Sequence, residues 1–269
     1  MTPRWVVYDE PAGGGGGGAW DPSQLSLLAW YDADAITGLN NGDSVTTWSD
    51  SSGNARELSA GTAPTYQTAV LNGMPVIRFT ASQYLKRDSS FMFANGSVTI
   101  AAIVGGVGSA SQTFIITEGS STSNSPVYSP MQRLSGNADD VGIKMFYRTD
   151  SGSSVINHAV MIGPPISNTI GVVVDDGSSI VTTKDGGAPI TRVASYTRAA
   201  TTLNRFAVGT MLRSSPAYGW DGDMAEIVIA DSALGTTDRQ KLEGYLAHKW
   251  GLASNLPVGH PHKNLAPTA

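Results

Sequence analysis

The sequence predicts an all-β fold, an antiparallel sandwich closed by a single helix, on three observations. Glycine supplies 31 of 269 residues while 14% are charged, the balance of a chain with many turns and few charged helix faces. Apolar runs of strand length recur, each bounded by Gly, Ser, Asn, Asp or Pro, so the chain doubles back instead of crossing over through helices. Clear helical periodicity appears in one stretch near the end. With 41% hydrophobic residues, the chain can bury one substantial core.

In chain order, Trp5, Val6, Val7 and Tyr8 form an apolar cluster too small to fold alone. Residues 13–18 are all glycine and lift nearly every backbone restriction. Residues 1–24 are therefore expected to be a flexible arm with a poly-Gly linker, the four-residue cluster serving as an assembly anchor. Residues 25–269 are expected to form the globular domain. In PTYQTAVLNGMPVIRFT (64–80), Asn72-Gly73 marks a hairpin turn beside a strand carrying Val76, Ile77 and Phe79. Further strands are predicted at 98–104, 113–117, 141–147, 169–174, 179–183, 206–208 and 224–229, with turns at 175–177 and 185–187. Thr237 and Gln240 fit a capping box. Leu242, Tyr245, Leu246 and Trp250 follow at helical spacing, and Gly251 is placed to end the helix.

Two segments carry a family likeness. The opening LSLLAWYDADAITGLNNGDSVTTWSDSSGN (25–54) holds Trp30, Tyr31, Asp32, Gly42, Asp43, Trp48, Asp50, Ser52, Gly53 and Asn54. The closing WDGDMAEIVIADSALGTTDRQKLEGYLAHKWGLASNLPVGHPHK (220–263) orders a strand, a turn, a helix and a Pro-rich tail. Together they resemble LamG-like, concanavalin A-like jelly-roll domains. The resemblance implies a jelly-roll sandwich that binds glycans or builds adhesive surfaces, as in bacterial extracellular proteins and phage appendages. It also implies that the Gly-His-Pro tail is a structural strap, and it raises a structural calcium held by Asp43, Asp50 and Asn54, with Asp139 and Asp140 as a second pair. Those residue types supply hard oxygen ligands; the same residues also serve as ordinary turn formers.

Net charge is -5 and no run of Lys or Arg offers a footprint for a phosphate backbone, so nucleic acid is not an expected partner. No apolar run approaches the roughly 18 residues needed to span a bilayer. The first residues lack the apolar core of a secretory signal. Cysteine is absent, which removes disulfides and thiolate chemistry.

Catalytic patterns are missing. The five glutamates, Glu10, Glu57, Glu118, Glu226 and Glu243, include no pair at i and i+2, the spacing that sets two carboxylates on one strand face. Asp221, Asp223 and Glu226 form the nearest set, but nothing in their spacing supplies an apolar pocket to separate their pKa values. His260 and His262 lack the further ligands zinc requires. No catalytic residue is nominated. Tyr84, Tyr128, Tyr147, Tyr196 and Tyr218 are candidate sugar platforms without a defined site.

The expected function is a non-enzymatic phage virion protein, a tail appendage or head decoration that presents a lectin-like domain. It would be docked through its arm to other virion proteins, homo-oligomeric in the assembly and exposed on the virion surface. A bacterial surface carbohydrate-binding module is the first alternative, a glycan hydrolase or lyase the second.

Overall fold

A computed structural model describes residues 18–106, 112–134, 142–159, 168–193, 195–199 and 201–269. The proposed anchor Trp5, Val6, Val7 and Tyr8, most of the glycine run, and Asp139 and Asp140 lie outside the described residues. In chain order the strands begin with β1 (Leu27–Asp32), β2 (Thr47–Trp48), β3 (Leu58–Thr62), β4 (Thr65–Leu71), β5 (Met74–Phe79) and β6 (Tyr84–Arg87). Next come β7 (Val98–Gly105), β8 (Gln112–Gly119), β9 (Val127–Leu134), β10 (Gly142–Arg148), β11 (Ser154–Ala159) and β12 (Thr169–Asp175). The last are β13 (Ile180–Lys184), β14 (Ile190–Val193), β15 (Arg205–Val208), β16 (Met211–Leu212), β17 (Pro216–Ala217) and β18 (Gly222–Ala230), followed by helix α1 (Thr236–Lys249).

They build an antiparallel β-sandwich of two eight-stranded sheets. The first runs β14-β13-β12-β7-β18-β5-β4, with β1 also on β18; the second runs β11-β10-β9-β8-β15-β6-β3-β2. Strand β18 is the hinge of the first sheet. One of its edges pairs with β7, while β5 takes Gly222 to Met224 and β1 takes Glu226 to Ala230 on the other.

Every residue of β7 is buried, because the second sheet covers one face of the first and α1 packs on the other, against β7 and β12. Side chains alternate between those faces. On β1, Tyr31 points into the space between the sheets, where it meets Phe206 at 6.2 Å and Trp48 at 5.6 Å. Trp30 and Asp32 point the other way, under the helix.

The expected hairpin turn is present: Asn72 and Gly73 sit at φ 50° and 85°, the left-handed pair that a two-residue turn requires. Asn72 also donates through Nδ2 to the carbonyls of Trp250 (2.8 Å) and Gly251 (3.1 Å), so the hairpin caps the C-terminus of α1. Leu242, Leu246 and Trp250 are fully buried, and Tyr245 nearly so.

Two expectations are corrected. The capping box does not form: the N-cap is Gly235, with no side-chain cap. The start of the helix is set by tertiary anchoring, since the Leu234 N–H donates to Thr99 Oγ1 (2.9 Å). The packed region also begins before residue 25. Ala19 bridges Thr268, the Trp20 N–H donates to the Pro267 carbonyl at 3.2 Å, and the Trp20 ring is buried against Tyr245 at 6.1 Å.

Candidate functional site at the rim of the sandwich

Under α1 lies a buried ionic cluster. Asp32 and Glu226 are register partners on β1 and β18, so both carboxylates leave the same face. Lys249, at the end of α1, donates to Asp32 Oδ2 (2.6 Å), Glu226 Oε2 (2.8 Å) and Tyr245 Oη (3.2 Å). Its three N–H donors are thereby used. Glu226 further accepts from the indole N–H of Trp30 (2.7 Å) and of Trp250 (2.5 Å). Burial pushes the Glu226 carboxyl up, and Lys249 opposes that shift without cancelling it. For Lys249, burial works against the charged form, but Glu226 and Asp32 outweigh it and hold the ammonium above its ordinary range. Burial, then Glu226, drives the Tyr245 phenol far up.

Asp32 has a second aspect. It helps line a pocket of about 210 Å³ with Ala35, Ile36, Thr37, Leu39, Thr46, Thr47, Trp48 and Ser49. The pocket sits between the end of β1, the loop at 33–46 and β2, an edge strand of the second sheet. Thr37, Thr46, Thr47 and Ser49 are exposed, and their hydroxyls have no hydrogen-bond partner among the described residues. Trp48 is fully buried, and its indole N–H is also without a partner. A buried donor left unmade is costly. Other buried polar groups, among them the Trp220 indole N–H, the Thr113 hydroxyl and the Gln132 amide, share that state; of these residues, Trp48 is the one that lines this pocket. Free hydroxyls, a carboxylate and the apolar Ile36, Leu39 and Trp48 suit a small polyhydroxylated ligand. The volume lies below the roughly 300–1,000 Å³ of drug-sized sites, so it fits one small ring.

The nominated residues take other places. Asp50 Oδ1 accepts from the N–H of Trp30 (2.9 Å) and Ser52 (2.9 Å), and Oδ2 from the Arg56 N–H (3.0 Å). Asn54 Nδ2 donates to the Leu27 carbonyl (2.7 Å), and Asp43 Oδ2 accepts from the Asn40 N–H (2.7 Å). All three hold loop backbone in place, and among the described residues no group of three His, Cys, Asp or Glu is placed to hold a metal. Asp223 forms a two-bond pair with Arg78 (2.7 and 2.8 Å). It is not brought together with Glu226, which faces the helix.

Tyr128 and Tyr147 are buried. Tyr128 and Tyr196 both donate to Asp175 at 2.7 Å, where Arg198 also pairs at 2.7 Å. Tyr218 remains half-exposed beside Phe114. His260 is buried with Nε2 3.2 Å from Glu243 Oε2, and His248 Nε2 lies 2.8 Å from the His262 carbonyl; the tail is bound down as a strap.

Sequence reasoning missed Thr37, Thr46, Thr47 and Ser49. A hydroxyl-rich stretch flanking Trp48 was the available signal, but hydroxyls are also common in turns.

No family model matches the sequence, and neither does any curated protein. Solved structures share the fold. Domain 4 of AbnA, a GH43 extracellular arabinanase from Geobacillus stearothermophilus, in complex with arabinotriose, superposes with a TM-score of 0.58 at 15% identity, covering 81% of this chain and 98% of that one. Trypanosoma rangeli sialidase in complex with sialic acid gives 0.51 at 14% identity, covering 83% of this chain and 33% of the sialidase. A mutant of that sialidase displaying trans-sialidase activity gives 0.52 at 12%, over 84% and 33%. The chain thus spans about a third of the sialidases' length, and these likenesses establish the sandwich architecture.

Proposed function

We propose that this domain is a non-catalytic, lectin-like module that binds glycans through the rim pocket. The observation that carries the reading is the convergence of four unpartnered hydroxyls and the Asp32 carboxylate, beside the Trp48 ring, around one small cavity. A sugar offers several hydroxyls that both donate and accept, which such a lining complements. Support also comes from the AbnA domain, which is in complex with arabinotriose and which this chain covers almost completely.

The non-catalytic part rests on how the carboxylates are used. Asp32 and Glu226 share one lysine, Asp223 is paired with Arg78, and Asp50 is saturated by backbone donors. A glycosidase needs two carboxyl groups free to flank the scissile bond.

A glycan array probed with the intact protein and with Thr47→Trp, which fills the cavity, tests the site: binding should be present in the first and lost in the second. Release of reducing ends from any bound polysaccharide would overturn the non-catalytic reading.

For the setting, we keep the virion appendage or decoration suggested by the LamG-like resemblance and the glycine-rich arm. Deleting residues 2–12 should leave a folded sandwich that no longer joins particles. Equal incorporation of intact and truncated chains would show that the arm is merely a leader and that attachment lies on the sandwich itself, whereas absence of both from particles would favour a bacterial surface module.

A further inference from the structure

The charge around the pocket narrows its ligand class. Among the described residues no Lys, Arg or His lines the cavity. The cation bound to Asp32, Lys249, has its three donors committed to Asp32, Glu226 and Tyr245, so none is left for a ligand. Three carboxylates, Asp32, Glu226 and Asp34, stand against that one ammonium. Asp34, next to the lining Ala35, donates its backbone N–H to Asp32 Oδ1 (2.9 Å); its carboxyl feels burial first, then Asp32, with Lys249 acting in the opposite sense. Tyr66 senses the same two aspartates.

Sites that take carboxylate, sulfate or phosphate groups present Arg or Lys donors to them. Here an acidic sugar would bring its charge against Asp32 with no free cationic donor to pair with it, since Lys249 is already shared between Asp32 and Glu226. Repulsion of this kind is how a site rejects a near-identical ligand.

We infer that the rim pocket selects neutral sugars and excludes acidic ones, with Asp32 and Asp34 as the excluding groups. The inference rests on the glycan-binding reading and goes beyond it by fixing the ligand's charge class.

The test is titration calorimetry with matched pairs: a panel of neutral oligosaccharides and, for each, the counterpart carrying a carboxylate or sulfate. The neutral member should bind at least about 10-fold more tightly, equivalent to about 1.4 kcal/mol. That gap should narrow as salt is raised, because the pocket opens to solvent. Asp34→Lys should close it further, provided its melting midpoint matches that of the unaltered protein; the Asp34 side chain makes no hydrogen bond among the described residues, so the fold should tolerate the change.

Equal or tighter binding of acidic sugars that Thr47→Trp still abolishes would overturn this inference and leave the glycan site standing. A preference for neutral sugars that survives Thr47→Trp would place the site elsewhere and overturn both. Failure of every glycan to bind would overturn the proposed function and, with it, this selectivity.

Discussion

Glu226 and Glu118 are both completely buried, and burial raises the pKa of each, yet they are satisfied in opposite ways. Glu118 accepts from three consecutive backbone N–H groups, those of Phe91 (2.5 Å), Met92 (2.7 Å) and Phe93 (2.9 Å). Its partners come from one short segment. Glu226 depends instead on side chains from β1 and from α1 and the residue after it, namely Trp30, Lys249 and Trp250. A carboxylate held by a backbone nest tolerates most substitutions around it, whereas one held by distant side chains fails when any of them is changed.

Lys249→Met should break this contrast most severely. It strips the cation from both Asp32 and Glu226, and breaking a buried pair typically costs about 3–5 kcal/mol. The deficit should depend on pH with a definite sign. An acid whose folded pKa is raised contributes less stability as pH climbs from its ordinary value through the folded one, and without Lys249 the Glu226 carboxyl rises further. The loss should therefore be largest near neutrality and shrink as pH falls towards the ordinary glutamate value of 4.5. Denaturant titrations across that range check both statements.

Leu246→Ala is the matched control on the same helix. Emptying this fully buried site should cost about 2–5 kcal/mol through packing alone. Since no charge is involved, the loss should stay constant across the same pH series. A parallel pH trend in both variants would show that the ionic cluster is not what Lys249 stabilises.

Glu118→Gln probes the nest. The amide oxygen can still accept from Phe91 and Met92, but its NH2 group would face the Phe93 N–H, leaving donors opposed in a dry site. The expected cost is about 1–3 kcal/mol, smaller than that of Lys249→Met, and thermal melts of the two variants side by side decide the ranking.

The smallest effect is expected where local bonding occurs at the surface. Burial is the largest single influence on Asp176 and works against its charged form, but the hydroxyls and N–H groups of Ser178 and Ser179 together outweigh it and hold the carboxyl down at about 2. A depressed acid contributes stability above its ordinary value and loses it as pH falls through the folded one. Asp176→Asn should cost about 0.5–1.5 kcal/mol at neutral pH. The difference from the unaltered protein should fade in melts between pH 4 and about 2.

These contrasts also explain what could be read in advance. The runs at 98–104, 169–174 and 224–229 become β7, β12 and β18 with ends shifted by one or two residues, because long apolar stretches between turn residues leave little choice. Strand β9 escaped notice: Ser129, Pro130 and Gln132 interrupt its hydrophobic pattern. Its place comes from the ladders with β8 and β10. The capping box failed for a related reason, since a local pattern was overridden by the contact of Leu234 with Thr99.

By itself the sequence determined the all-β class, the hairpin at Asn72-Gly73 and the one helix with its buried face, because period, turn chemistry and burial are properties of neighbouring residues. Tertiary structure decided the rest. Asp32 and Lys249 are 217 residues apart, and they meet because β1 pairs with β18 and α1 folds back over that pair. The same pairing turns one aspect of Asp32 to the lysine and leaves the other on the pocket wall, next to Trp48 from the second sheet. No local pattern encodes that juxtaposition; it follows from strand register, in which a slip of one residue would send each of these side chains to the opposite face.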